Sequence, residues 1–317
     1  MERFKEFEEA SPSDKFSEER LPVGAKEYLC YDHPLIVEYS TRYEGHPAAR
    51  HSVWNRGLLK KDLNLARFRE DNAYIWQTRD VGYDLLVSYA FTTYYVKQID
   101  SLDLLEKVDE DGLFGAVTIE MDHGKIVSRD LLDSTLEINF LERHLKLSRM
   151  PSINLLDIGA GYGRLAYRLA QSLPNLRLVL CTDAVPESTF LCQYYLEYRM
   201  VSDKAKTIPL DTIEKVLEKG QIDIVTNIHS FQECSLESIS WWIDLISRCG
   251  IKYFMLAHYR DELLSSEEDG AKADFRPLIE MRGFELVAKE PVYAPGSLAS
   301  KYGLYPERWY YLFRNYT

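Results

Sequence analysis

Apolar residues in the first half of the chain recur with the three-to-four spacing of helices. This pattern covers residues 63–79 and 80–98 and returns over residues 130–147, so we predict a helix for each range. In the second of these helices, seven apolar and aromatic residues form one broad stripe: Tyr83, Leu86, Val87, Ala90, Phe91, Tyr94 and Tyr95. Before the third helix a short hairpin is predicted for two runs and the turn that joins them: residues 115–121, Asp122-His-Gly124 and residues 125–128.

The pattern changes at residue 154, where short apolar runs begin to alternate with amphipathic helices. Such alternation predicts parallel strands that are joined by crossover helices. The predicted strands cover residues 154–158, 177–182, 222–228 and 253–257, with a weaker strand near 206–210. Two further runs, residues 284–289 and 309–313, have no convincing helix between them and predict an antiparallel pair at the edge of the sheet. The second half is therefore predicted to be an α/β domain.

These patterns divide the chain into three parts. Residues 1–20 mix charged residues with isolated phenylalanines, and we expect a flexible arm there. Residues 21–129 predict a mainly helical lobe that includes the short hairpin, and residues 130–317 predict the α/β domain. An apolar fraction of 46% with 13% aromatic residues supplies enough surface for a packed core.

Charge and cysteine usage narrow the class of function. Asp and Glu number 50 against 38 Lys and Arg, which gives a net charge of −12. Such a chain, without a dense run of basic residues, repels phosphate backbones, so we expect no nucleic-acid partner. The first 20 residues hold neither a signal-peptide core nor a spanning segment, and we expect a cytoplasmic protein without membrane contact. The cysteines lack metal or redox spacing and are expected to be reduced and buried: Cys30, Cys181, Cys192, Cys234 and Cys249.

The sharpest motif is Leu155-Leu-Asp-Ile-Gly-Ala-Gly-Tyr-Gly163, where a predicted strand runs into three alternating glycines and then into a predicted helix. Glycine lets backbone N–H groups approach a ligand closely, and the start of the following helix favours negative charge. We therefore predict a nucleotide-binding loop that contains Gly159, Gly161 and Gly163. The same glycines also fit a tolerant form of the dinucleotide fingerprint, so a nicotinamide dinucleotide stays open as the ligand.

Two carboxylates accompany the glycines. Asp157 lies two residues before the first glycine, where it would repel a pyrophosphate. Asp183 ends the next predicted strand, at the place where either kind of nucleotide-binding fold holds ribose hydroxyls. Capping of the helix that follows is an alternative role for Asp183, and it is compatible with ligand binding.

At these residues the chain resembles class I S-adenosylmethionine-dependent methyltransferases, over roughly residues 131–316. The resemblance implies an α/β, Rossmann-like sheet that is mostly parallel with an antiparallel last strand, and S-adenosylmethionine as the cofactor. It also implies which residues hold the cofactor: Asp157, Gly159, Gly161, Gly163 and Asp183. In such enzymes the acid at the position of Asp157 helps to hold the amino group of the cationic ligand.

A narrower resemblance, to the sugar O-methyltransferase family, covers most of the chain beyond the arm. It rests on three segments: Phe68-Arg-Glu-Asp-Asn-Ala-Tyr-Ile-Trp-Gln77, Ser128-Arg-Asp-Leu-Leu-Asp-Ser134 and Asn227-Ile-His-Ser-Phe-Gln-Glu233. It implies a sugar or glycoconjugate as the acceptor. Arg129 and Asp130 are polar residues of the second segment to which we assign no role.

Ligands of open α/β sheets bind beyond the C-terminal ends of the strands, so residues there are the catalytic candidates. His229 follows the predicted strand 222–228 and suits removal of a proton from a hydroxyl as a methyl group arrives, although a structural histidine is the alternative. His258 follows the next strand and is the second candidate base. Glu233 is predicted to orient a histidine or contact sugar hydroxyls, or else to favour a helix dipole. No cluster of carboxylates in the sequence predicts a metal.

The sequence thus predicts an O-methyltransferase that acts on a small hydroxylated acceptor, a sugar by the resemblance, with the helical lobe over the acceptor. Two alternatives remain open at this point. One is a nicotinamide-dependent oxidoreductase, and the other is a non-catalytic protein that binds the cofactor on the same fold. The oligomeric state is left open.

Overall fold

The structure is a computed structural model that describes residues 20–50, 54, 59–60, 63–69, 83–121 and 124–316. Its helices are α1 Ala25–Tyr28, α2 Pro34–Tyr43, α3 Tyr83–Ile99, α4 Leu104–Lys107, α5 Arg129–Leu145, α6 Arg164–Ser172, α7 Pro186–Tyr198, α8 Ile213–Val216, α9 Leu236–Arg248, α10 Arg276–Met281 and α11 Ala299–Tyr302. Its strands are β1 Thr118–Met121, β2 Lys125–Ser128, β3 Ile153–Ile158, β4 Leu176–Thr182, β5 Ala205–Thr207, β6 Ile224–Ile228, β7 Tyr253–Tyr259, β8 Phe284–Pro291 and β9 Arg308–Asn315. Short 3₁₀ turns lie at Pro47–Ala49, Leu65–Arg67, Leu113–Gly115, Leu147–Arg149, Leu210–Thr212 and Phe231–Glu233.

Strands β3 to β9 form one sheet within the described residues. Its order is β5-β4-β3-β6-β7-β9-β8, with the first five of these strands parallel and β9 antiparallel to both of its neighbours. The predicted mostly parallel α/β sheet with an antiparallel last strand is confirmed. Because β3 has β4 on one side and β6 on the other, the winding of the chain reverses at β3. In open α/β sheets the crevice at this switch point is where ligands bind.

The strong strand predictions agree with the structure to within two residues at each end. The central parallel strands β3 and β6 are buried on both faces and read as continuous apolar segments, whereas the edge strand β8 is only partly buried. The weaker prediction, 206–210, corresponds to β5, which ends at Thr207. The predicted hairpin is also present, since β1 and β2 pair antiparallel. Residues 122–123 of its turn lie outside the described part of the chain.

The predicted helix is present as α3, and of the residues in the stripe only Tyr95 is buried. Tyr83 and Tyr94 are each 62% exposed, whereas the buried positions are Tyr89, Thr92, Thr93, Tyr95 and Val96. The burial of Thr92 is accompanied by a distant hydrogen bond, since its Oγ1 accepts from Leu304 N at 2.8 Å. Contacts with the C-terminal segment therefore decide which face of α3 is buried.

The helix predicted for residues 63–79 is not found over its described part. Residues 63–69 contain only the 3₁₀ turn Leu65–Arg67, whose start is fixed by Asn64, since its Oδ1 accepts from Ala66 N at 3.1 Å. The remainder of the predicted helix lies outside the described residues, as does most of the segment Phe68 to Gln77. Of the predicted arm, Arg20 is described, and its Nη1 donates to Thr118 Oγ1 at 3.0 Å.

The segment before residue 130 is fastened to the sheet domain by buried ionic contacts. Arg69 is fully buried, and its Nε and Nη2 donate to the two carboxylate oxygens of Asp130 at 2.9 and 3.0 Å. Arg69 Nη2 also donates to Glu110 Oε2 at 2.7 Å, and Arg168 of α6 donates to the same oxygen at 2.8 Å. Tyr162 Oη donates to Asp130 Oδ2 at 2.7 Å, so the network reaches the glycine loop.

Helix α2 packs on α7, and the described residues share one continuous hydrophobic core. Four of the cysteines are buried free thiols as predicted, but Cys30 is exposed, so that part of the prediction is wrong. Within the described residues, no helix has the length and apolar character needed to cross a bilayer.

Candidate functional site

The glycine loop connects β3 to α6 at the switch point of the sheet. All three glycines have positive φ, +70° at Gly159, +57° at Gly161 and +85° at Gly163, which side-chain-bearing residues rarely adopt. The N–H groups of Gly159 and Ala160 both donate to Thr182 O at the end of β4, at 2.9 and 3.2 Å. The loop is therefore fastened to the neighbouring strand, and α6 begins directly after it at Arg164.

Two of the glycines are also required by packing. A Cβ at Gly159 would lie 2.3 Å from the side chain of Ser230, in the loop after β6. A Cβ at Gly163 would lie 3.0 Å from Cys192 Sγ on α7. The glycines therefore let the loop pass close to its neighbours.

Asp157 lies in β3 between its partner strands β4 and β6. Its Oδ1 accepts a hydrogen bond from Thr226 Oγ1 at 2.7 Å, and the side chain is buried. Burial raises the pKa of Asp157 to about 7, because the ionised carboxylate is poorly solvated there, and the hydrogen bond from Thr226 and the charge of Arg164 offset this only in part. A cation beside Asp157 would reverse this shift.

Asp183 follows β4, and its carboxylate holds the glycine loop. Its Oδ2 accepts from Gly161 N and its Oδ1 from Val185 N, both at 2.9 Å. Burial raises the pKa of Asp183 to about 6, against these backbone hydrogen bonds, which lower it. Each carboxylate oxygen offers about two lone-pair sites, so each retains capacity for a further donor.

These residues line one cavity of about 1010 Å³, a volume that includes open solvent at its mouth. The cavity joins the ends of β3, β4, β6 and β7 to the segment before residue 130. From the predicted set it contains Asp157, Gly159, Gly161, Asp183, His229 and Glu233. Residues that we did not assign to the site also line it: Trp54, Leu59, Arg129, Asp133, Arg164 and Tyr259. Gly163 and His258 are absent from the lining.

His229 lies at a tight turn just after β6, with a φ of +64° and its N–H donating to Ala257 O at 3.0 Å. Its ring stacks on that of Tyr259, with 4.6 Å between the centroids and 23° between the planes. Both ring nitrogens are buried, and neither has a hydrogen-bond partner among the described residues. Burial, with Arg308 and Arg129 nearby, holds the pKa of His229 well below its usual value. The imidazole is thus neutral, with an unused acceptor.

Asn227 positions this turn and was missed in the sequence. Its Nδ2 donates to Ile158 O and its Oδ1 accepts from Phe231 N, both at 2.9 Å. The side chain thereby fastens the loop after β6 to the start of the glycine loop. In the sequence, an asparagine at the end of a buried strand looks the same whether it orders the backbone or binds a ligand. The role of Asn227 could therefore not be predicted.

His258 has a different setting from His229. Its Nδ1 lies 2.6 Å from Tyr259 O and its Nε2 lies 3.2 Å from Leu264 O. With both nitrogens facing carbonyl oxygens, the ring offers no free acceptor to a substrate in the geometry of the structure. The structure thus favours a structural role for His258.

Glu233 ends the 3₁₀ turn after β6, and its Oε2 accepts from Trp54 Nε1 at 2.5 Å. Burial raises the pKa of Glu233 to about 8. A carboxyl with this pKa is largely protonated at neutral pH and can donate a hydrogen bond. Since Trp54 comes from the segment before residue 130, this contact brings the two parts of the chain together at the cavity.

No protein-family model matches the sequence, and no curated protein matches it either. Solved structures that share the fold include magnesium protoporphyrin IX methyltransferase from Synechocystis PCC 6803 with bound SAM, at 14% identity and a TM-score of 0.43 over 71% of this chain and 97% of that chain. The [4+2]-cyclase SpnF matches at 15% identity and a TM-score of 0.45, over 71% of this chain and 95% of that one. A SAM-dependent methyltransferase from Clostridium acetobutylicum ATCC 824 matches at 12% identity and 0.40, over 57% and 90%. At these values the likeness concerns the fold alone.

Proposed function

We propose that this protein is an S-adenosylmethionine-dependent O-methyltransferase that acts on a small hydroxylated acceptor, a sugar. One observation carries the proposal: Asp157, Asp183 and His229 line the same cavity around the glycine loop, and the ring nitrogens of His229 have no hydrogen-bond partner among the described residues. The cavity thus combines carboxylates suited to a cationic cofactor with a neutral base suited to a hydroxyl.

The two aspartates fit S-adenosylmethionine better than a dinucleotide. Both are buried carboxyls whose pKa is raised, so a positively charged ligand gains by stabilising their ionised forms. A pyrophosphate is negatively charged and would be repelled by the ionised carboxylates of both aspartates. In this proposal Asp183 accepts hydrogen bonds from ribose hydroxyls, Asp157 attracts the amino group, and Gly159, Gly161 and Gly163 shape the loop.

The cofactor supplies an activated methyl group, and His229 supplies the base. An alcohol does not ionise at neutral pH, so its proton must leave as the new bond to oxygen forms. The neutral imidazole of His229 accepts that proton through a ring nitrogen that no described residue occupies. Glu233 contacts the acceptor hydroxyls as a donor, consistent with its raised pKa. His258 is not given a catalytic role.

The segment before residue 130 covers the acceptor side of the cavity. Trp54 and Leu59 belong to its lining, and Trp54 reaches Glu233. In this proposal the helical lobe, residues 21–129, excludes water from the transferring methyl and selects the acceptor.

Separate titrations with S-adenosylhomocysteine and NAD test the cofactor. We expect S-adenosylhomocysteine to raise the melting temperature of the protein and NAD to leave it unchanged, because only a ligand of the native state shifts unfolding. Stabilisation by NAD alone would establish the oxidoreductase alternative. Methyl transfer from labelled S-adenosylmethionine to a panel of sugars, glycosides and phenols then tests the reaction. Cofactor binding without transfer to any of these would favour a non-catalytic binding protein.

A further inference from the structure

A cluster of positive charge lies on the β7 and β9 side of the same cavity. Arg129, the first residue of α5, lines the cavity and is 3% exposed. Its guanidinium carbon lies 3.8 Å from the centre of the Tyr305 ring, in the loop before β9. This stacking fixes the plane of the guanidinium beside His229 and Tyr259.

Arg129 shares its counterion with a second buried arginine. Asp133 Oδ1 lies 2.8 Å from Arg308 Nη1, while Asp133 Oδ2 accepts from Arg129 Nε at the longer distance of 3.3 Å. Arg308 also donates to Tyr305 O at 3.1 Å and Leu304 O at 3.2 Å. Arg129, Arg308 and Asp133 together therefore carry one net positive charge. The carboxylate of Asp133 is closer to Arg308 than to Arg129.

The Nη1 of Arg129 is buried without a hydrogen-bond partner among the described residues. Leaving a charged donor buried and unsatisfied is costly unless a ligand completes it. The neighbouring cation does not compete for this role, because Arg164 is already paired with both oxygens of Glu137 at 2.8 and 2.9 Å. Arg129 thus lines the cavity and keeps one guanidinium nitrogen, Nη1, for which the described part of the chain supplies no acceptor.

We propose that Arg129 binds the carboxylate of a ligand in this cavity. A single excess positive charge and a plane fixed by Tyr305 match a planar, singly charged anion. The cavity then has two polarities, with Asp157 and Asp183 for positive groups and Arg129 for a negative one. The proposal rests on the proposed function for its two sources of carboxylate: the amino-acid end of the cofactor, or an acidic acceptor.

Calorimetry on the wild type and Arg129→Gln separates these sources. If the cofactor supplies the carboxylate, the variant binds S-adenosylhomocysteine roughly 10- to 100-fold more weakly, the loss expected for charge-assisted hydrogen bonds. Its affinity for 5′-methylthioadenosine, which lacks the amino-acid end, stays unchanged. If the acceptor supplies it, S-adenosylhomocysteine binds equally to both proteins. Benzoate then stabilises the wild type with S-adenosylhomocysteine bound but not the variant, and the neutral analogue benzamide stabilises neither.

Two further variants keep the test decisive. Arg248→Gln removes an exposed arginine and should bind every probe as the wild type does. Arg129→Lys preserves the charge without the planar fork, and we expect an intermediate affinity even if Arg129→Gln folds poorly. Unchanged binding of both S-adenosylhomocysteine and benzoate in a folded Arg129→Gln would overturn the proposal. A wild type that does not bind S-adenosylhomocysteine at all would instead refute the proposed function, and benzoate binding to the free protein would then decide the role of Arg129.

Discussion

Gly161 donates its backbone N–H to Asp183 Oδ2 at 2.9 Å, so the carboxylate at the end of β4 holds the loop at the end of β3. The other oxygen of Asp183 accepts from Val185 N, at the start of α7. One side chain therefore fixes the loop and the following helix in relation to each other. The alternative role of Asp183 as the cap of this helix is wrong, because the N-cap of α7 is Val185 and no side chain caps it. Asp183 orders the backbone before the helix instead, and its carboxylate still has lone pairs for ribose hydroxyls.

Substitution of Asp183 is expected to affect both stability and binding. Asp183→Ala leaves the N–H groups of Gly161 and Val185 without their acceptor and should lower the free energy of unfolding by about 1–3 kcal/mol. Binding of S-adenosylhomocysteine should weaken by a further 1.5–3 kcal/mol, roughly, for the lost ligand contacts. Urea denaturation and calorimetry measure the two effects separately. A folded variant with wild-type affinity would restrict Asp183 to ordering the backbone.

Gly159 is expected to tolerate no side chain. Gly159→Ala places a Cβ 2.3 Å from Ser230, in addition to the strain of a φ of +70°. The matched control is Gly250→Ala, which has a φ of +66° but a nearest contact of 3.5 Å, to the flexible side chain of Lys219. The control should lose about 1–2 kcal/mol of stability through backbone strain alone. Gly159→Ala should lose more, and the double variant with Ser230→Gly should recover the excess; equal losses in the two single variants would contradict the contact.

The sheet and the glycine loop could be predicted because each depends on local sequence. Buried parallel strands read as continuous apolar runs, and a strand that ends in alternating glycines indicates a close approach of backbone. The buried face of α3 could not be predicted in this way. Thr92 is polar, and its burial depends on the N–H of Leu304, which is 212 positions away in the sequence.

The basic part of the site was missed for the same reason. Arg129 was visible only as a polar residue at the start of a helix, since Asp133 and Arg308 lie on α5 and at the start of β9. Nothing in the spacing of these residues indicates that the two arginines share a carboxylate. Likewise, His229 and His258 follow neighbouring predicted strands in the sequence. Only the orientation of each ring shows that His258 is hydrogen bonded, whereas the nitrogens of His229 have no such partner in the part of the chain that the structure describes.

Cofactor affinity is expected to increase with pH. Burial raises the pKa of Asp157 to about 7 and of Asp183 to about 6, so both carboxyls become protonated as the pH falls below these values. A protonated carboxyl attracts no cation and accepts hydrogen bonds more weakly. The dissociation constant of S-adenosylhomocysteine should therefore rise by up to about tenfold per pH unit between pH 7 and pH 6, where Asp157 titrates, and by up to about a hundredfold per unit below pH 6, where both carboxyls are protonated. Calorimetry from roughly pH 5 to pH 8, the range in which buried carboxyls with these raised pKa values titrate, should show this trend.

Stability without ligand should respond in the opposite direction. Because the folded pKa of each aspartate is above its unfolded value, the folded protein binds more protons, and these groups reduce the free energy of unfolding as the pH rises from about 4 to 7. Asp157→Asn should remove part of both trends. Asp203→Asn, which changes an exposed carboxylate, should preserve both. A cofactor affinity that is independent of pH in the wild type would contradict the proposed roles of the aspartates.

The buried network around Arg69 is expected to be the main electrostatic attachment of the first part of the chain. Arg69→Met leaves Asp130 and Glu110 buried with fewer donors and should destabilise the protein by about 3–5 kcal/mol. The matched control, Arg248→Met, breaks an exposed pair with Glu214 and should cost less than about 1 kcal/mol. Urea denaturation of both variants provides the comparison, and equal stabilities would show that the network contributes little.

Loss of the imidazole at position 229 is expected to remove the base without disturbing the cofactor. His229→Asn is the informative substitution, because asparagine tolerates the φ of +64° at this turn better than most residues. It should bind S-adenosylhomocysteine normally and reduce methyl transfer by about 10²- to 10⁴-fold, the contribution of a positioned base. In the wild type, kcat/KM should rise as the pH increases through the pKa of His229, which lies well below 6.5, and the variant should lack this acidic limb.

The comparison with His258→Asn decides between the two histidines. His258 has both ring nitrogens directed at the carbonyl oxygens of Tyr259 and Leu264, so its loss should lower stability while the pH profile of the remaining activity is preserved. Normal turnover in His229→Asn with a folded but inactive His258→Asn would place the base on β7 instead. If both variants keep full activity, neither histidine takes the proton, and the proposed role of His229 as the base is wrong.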